Sequence, residues 1–87
     1  MKSLMFVSSR GEIKDISLEF TDDGQYELES QKEIYRICAH NIDTMYPGLL
    51  NRNDLIKAEL QRVLGTDFSL RHFLSINEIE SACIVKH

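Results

Sequence analysis

The chain has 87 residues, 43% hydrophobic and 28% charged, with one Pro, four Gly, two Cys and a formal net charge of -4. A chain this long buries only about 60 to 65% of its unfolded surface, so residues 1–87 are expected to form a single domain without a deep cleft, and the near-average composition excludes a low-complexity chain. The negative charge argues against nonspecific binding to nucleic acid or anionic membrane; the longest apolar run, residues 4–7, is far short of the roughly 20 residues of a membrane span, and the N-terminus shows no secretory pattern, so a cytoplasmic protein is expected.

The first third carries the period of two that marks half-buried strands. Leu4, Met5, Phe6 and Val7 form a β-rich run, and Arg10 with Gly11 marks a turn. Ile16, Leu18 and Phe20 then alternate with polar residues, as do Tyr26 and Leu28. Between these runs Asp22, Asp23 and Gly24 suit a type I turn closed by a glycine in the left-handed region. That turn pairs Thr21 with Gln25, Phe20 with Tyr26 and Leu18 with Leu28, all four apolar residues sharing one face. On the other face Glu19 then lies opposite Glu27 and Ser17 opposite Glu29, and like charges across a strand pair destabilise it by a few tenths of a kcal/mol to about 1.

Helical spacing follows. Ser30 with Glu33 has capping-box spacing, and Ile34, Ile37, Cys38, Ile42, Met45 and Tyr46 recur every three or four residues until Pro47 and Gly48. A second helix is expected from about Asn53, its N-cap, through Leu55, Ile56, Leu60, Val63 and Leu64 to Gly65. A short third helix follows Thr66 or Asp67 and carries Phe68, Leu70, Phe73 and Leu74. Ser75 and Glu78 repeat the capping-box spacing, whereas residues 82–85 look like a strand; the reading is a turn or helical start and then a strand over about residues 79–86. The fold class is thus α+β: a small antiparallel or mixed sheet of three to four strands, an N-terminal meander plus the C-terminal strand, with two to three helices on one face.

Sites for chemistry are few. Asp22, Asp23 and Gly24 lack the twelve-residue loop and late Glu of a calcium site, and Cys38, Cys83, His40, His72 and His87 show no zinc-ligand spacing, so no metal or cofactor is expected. The two cysteines read as reduced, buried thiols. Arg36, His40 and Asp43 share one side of the first helix and form the best catalytic arrangement on offer, but a solvated polar face explains them more simply. The protein is expected not to be an enzyme. Arg52, Lys57, Arg62, Arg71 and His72 in the helical half would serve a small nucleic-acid-binding regulator, although residues 52–72 carry a net charge of only +1.

Charge placement is the strongest signal. Residues 12–33 hold eight carboxylates against two lysines, a net of -6, while the remainder holds eight bases against six acids, a net of +2. Asp15, Glu19, Asp22, Asp23, Glu27 and Glu29 are the expected contact set of a small acidic protein-binding module. Its natural use is as an inhibitor or neutraliser of a basic partner such as a nuclease toxin, in the manner of an immunity protein, an antitoxin or a phage-encoded inhibitor. Tyr26 would serve as an anchor if the turn exposes it. An exposed strand edge also leaves room for a homodimer.

Overall fold

A computed structural model describes residues 2–7, 11–65 and 68–84. Strands β1 (Lys2–Val7) and β2 (Ile13–Leu18) form an antiparallel ribbon in which Leu4 faces Ile16 and Met5 faces Asp15. Alternation divides the ribbon: Leu4, Ile16 and Leu18 are buried, while Met5, Ile13, Asp15 and Ser17 are exposed. The turn expected at Arg10 lies outside the described residues.

After β2 the expected hairpin register appears at its tip. The Thr21 N–H donates to the Gln25 carbonyl at 2.8 Å, and the Gly24 N–H donates to the Thr21 carbonyl at 3.1 Å. Gly24 has φ +80°, a conformation that glycine adopts without a Cβ clash. Phe20 and Tyr26 form an isolated antiparallel bridge, and the Glu27 N–H donates to the Glu19 carbonyl at 2.9 Å. The pairing ends there, because the Glu27 carbonyl accepts from the Gln31 N–H at 3.1 Å and so opens a helix.

This corrects the expected third strand. Leu28 and Glu29 lie in the first turn of helix α1 (Leu28–Met45), so neither Leu18 with Leu28 nor Ser17 with Glu29 pairs as strand. Ser30 is not a cap either; its hydroxyl donates to the Ser17 carbonyl at 2.8 Å and fastens α1 to β2. Helix α1 buries Ile34, Tyr35, Cys38, Ala39 and Ile42 on one stripe. Met45 and Tyr46, at the far end of that stripe, are exposed.

Helix α2 (Arg52–Leu64) buries Ile56, Leu60 and Leu64 and stops at Gly65, whose φ of +62° and N–H bond to the Gln61 carbonyl close its last turn. Of the expected third helix, residues 66 and 67 lie outside the described residues, and the described part contains one 3-10 turn, Leu70–His72. The expected C-terminal strand is also corrected. Residues 76–83 form helix α3 (Ile76–Cys83), and residues 85–87 lie outside the described residues. Ser75 accepts from the Glu78 N–H while the Glu78 carboxylate accepts from the Ser75 N–H, so the capping box prevails over the apolar run.

The fold is therefore α+β with a two-stranded antiparallel ribbon among the described residues, not a sheet of three or four strands. Ile34, Ile56, Leu60 and Ile79, from three helices, join Leu4, Ile16 and Leu18 in one core under the ribbon. Among the described residues no helix is long and apolar enough to cross a membrane.

Candidate protein-binding face

Outward-facing residues of β2 occur at every second position, and Ile13, Asp15 and Ser17 are all exposed. Glu19 continues this row, and its carbonyl accepts from the Glu27 N–H at 2.9 Å, which sets a second acidic residue opposite it along the backbone. Across the ribbon Met5 faces Asp15. Met5 and Ile13 are 65% and 68% exposed, which makes the outer face apolar as well as acidic. The sequence reading missed this apolar component because it began the alternation at Ile16. Ile13 already belongs to the outer row, and that parity was the signal.

The structure sorts the six expected contact residues by what already engages them. Asp15, Glu19, Asp22 and Glu27 are exposed, and none takes part in an ion pair among the described residues. Asp23 is used within its turn, accepting from the Thr21 hydroxyl and from the Gln25 N–H at 3.4 Å. The Thr21 bond is the main reason its carboxyl sits below the ordinary 3.8. Glu29 pairs with Lys32 at 3.3 Å on α1. Glu33, which added to the sequence's acidic count, is bound by Lys14 at 2.7 Å. The cluster is smaller than the sequence count, and its centre is Asp15, Glu19 and Glu27.

Tyr26 is not an exposed anchor. It is 5% exposed, covered by Phe20 stacked at 4.8 Å, with Phe73 at 5.1 Å on the core side. Its N–H donates to the His72 carbonyl at 3.0 Å, and the His72 Nδ1 lies 3.1 Å from the Gly24 carbonyl oxygen. Gln31, 1% exposed, completes the attachment: its Nε2 donates to the Tyr26 carbonyl at 2.6 Å and its Oε1 accepts from the Leu74 N–H at 2.8 Å. The acidic hairpin is thereby fixed to α1 and to residues 72–74.

In the catalytic arrangement considered from sequence, the Asp43 carboxylate is already engaged by Arg52, with His40 close enough to add a smaller stabilising charge. Arg52 takes Asp43 in a two-pronged contact at 2.6 and 3.0 Å, which holds the Asp43 carboxyl below its ordinary range, while Arg36 and His40 are exposed. Cys38 is buried and its thiol is pushed up to about 12, first by burial and then by the Glu59 charge. Both cysteines are free thiols, Cys83 being half-buried. Among the described residues no group of three His, Cys, Asp or Glu side chains is placed to hold a metal ion.

No family model matches the chain, and neither a curated protein nor a solved structure matches it.

Proposed function

We infer that the protein is a small, non-enzymatic binding module that covers a basic surface of a partner protein with the outer face of its ribbon. The observation that carries this reading is the set of exposed carboxylates Asp15, Glu19 and Glu27, without ion-pair partners among the described residues, beside exposed Met5 and Ile13. Apolar residues in a polar setting supply contact area, and like charges held together by backbone bonding are relieved by a cationic partner. A nucleic-acid-cleaving toxin or host nucleic-acid enzyme has a cationic substrate groove of the required kind. The role is that of a neutraliser in the immunity-protein, antitoxin or phage-inhibitor manner, acting in the cytoplasm.

The regulator reading is weaker. Of its five basic residues, Arg52 is bound to Asp43 and Glu80, Arg62 to Glu59, and His72 faces the Gly24 carbonyl. Lys57 and Arg71 alone among them have neither an ion pair nor a carbonyl contact among the described residues, too few for strong phosphate binding.

The test is capture of partners by the native protein and by Asp15→Lys, Glu19→Lys, Glu27→Lys, checked for folding by circular dichroism. Expected is a basic protein bound and inhibited by the native form, released by salt and lost by the variant. Equal capture by both, or capture of nucleic acid alone, would refute the reading.

A further inference from the structure

A second surface, lined by residues other than those of the ribbon's outer face, lies next to the hairpin. Residues from α2 and from 70–76 line a recess of about 380 Å³ with Leu60, Leu70, Phe73 and Ile76 as its apolar wall and the exposed cations Lys57 and Arg71 at its edge. Among the described residues neither cation is ion-paired and no carboxylate lines the recess. The neighbouring Glu78 is committed to the Ser75 cap. The Arg71 Nε is 3.4 Å from the His72 Nε2, a long contact that leaves the rest of the guanidinium without a hydrogen bond among the described residues.

Beside it is a recess of about 480 Å³ with the opposite charge, formed by the hairpin with Asp22, Asp23 and the 43% exposed Leu28 on its wall. Leu74 lines both recesses, so the acidic and basic patches are continuous across one residue. Gln25 also lines the acidic recess, and its Oε1 is a buried acceptor with no partner among the described residues.

We propose that these adjoining patches form the interface of a two-fold symmetric dimer, each hairpin docking its Asp22 and Asp23 onto Lys57 and Arg71 of a second copy. Two-fold rotation about an axis near Leu74 exchanges the patches, placing negative on positive twice and Leu74 against its own copy. Leu28 then meets the apolar wall of the opposing recess, and an arriving Arg71 or Lys57 supplies a donor near Gln25 Oε1. Charge complementarity and the shared Leu74 select a second copy as the occupant. The interface is separate from the ribbon's outer face, so the dimer stands or falls independently of the partner-binding reading.

Sedimentation equilibrium of the full chain tests it with two variants, each verified by circular dichroism. Lys57→Glu, Arg71→Glu makes both patches negative, and Asp22→Lys, Asp23→Asn makes both patches positive while Asn keeps the turn acceptor. The native protein should dimerise at low salt and dissociate at about 1 M salt, where the screening length is about 3 Å. Each variant alone should dissociate at least tenfold more readily than the native chain, and an equimolar mixture should recover dimer, because each negative patch then meets a positive one. A native protein that stays monomeric, variants that dimerise like the native chain, or a mixture that stays monomeric would each overturn the proposal.

Discussion

Replacing Gln31 with Leu tests how the hairpin is held. The two side chains are similar in size, so the packing around this 1% exposed position survives while both of its side-chain hydrogen bonds disappear. The Tyr26 carbonyl and the Leu74 N–H are left without partners. An orphaned buried polar group costs about 1–3 kcal/mol; the Leu74 end is only half-buried and water reaches it more readily, so the sum is about 2–4 kcal/mol. The whole chain, at about 0.05–0.15 kcal/mol per residue, has about 4–13 kcal/mol of stability. Urea unfolding followed by circular dichroism should therefore show a midpoint lowered by about 2 M or more, given a slope of roughly 1 kcal/mol per M for a small domain. Gln31→Glu adds a sign. Its buried carboxylate accepts from Leu74 but cannot donate to the Tyr26 carbonyl, so its folded pKa lies above the unfolded value and the variant gains stability as pH falls from the folded toward the unfolded pKa. A Gln31→Leu cost below about 0.5 kcal/mol would refute the reasoning and release the hairpin from Gln31.

Two further outcomes follow from the charged and thiol groups. Asp43 should titrate below 3.8 by NMR because Arg52 hydrogen-bonds its carboxylate, and Arg52→Ala should return it toward 3.8. With a depressed folded pKa, the contribution is present above the unfolded value and lost as pH falls through the folded one, so the native-to-variant stability gap should close only in acid. Cys38, fully buried and with its thiol pushed up to about 12, should resist iodoacetamide at about pH 8 until the chain unfolds, while half-buried Cys83 is modified first; peptide mass spectrometry distinguishes them.

Local chemistry made parts of this molecule legible. The Asp-Asp-Gly turn set the pairing of Thr21 with Gln25 and of Phe20 with Tyr26 because every partner lies within seven residues and Gly24 takes the left-handed conformation the turn demands. The interior stripe of α1 was legible for the same reason. The start of α1 was not: Tyr26, Leu28 and the glutamates between them fit a strand by parity, while the competing bond, Glu27 carbonyl to Gln31 N–H, leaves no mark in composition. The strand read over about residues 79–86 misled in the same direction, since Ile76, Ile79 and Cys83 also have helical spacing and the Ser75 cap decides between them. At the candidate face, Asp15, Glu19 and Glu27 were visible as charges, but the engagement of Glu29 by Lys32 and of Glu33 by Lys14 depended on where α1 begins and how it lies against β2. Gln31 was invisible as an anchor because Leu74 is 43 residues away.

The attachment of residues 72–74 to the hairpin gives the chain a built-in probe of its cooperativity. The Tyr26 amide is bonded to the His72 carbonyl and the Leu74 amide to Gln31, so one event, the peeling away of this segment, frees both protons to exchange with solvent. Amides 48 residues apart in sequence would then report one opening free energy. The acidic hairpin inherits the exchange lifetime of the far half of the chain and behaves as part of the same foldon, not as an independently fluctuating loop.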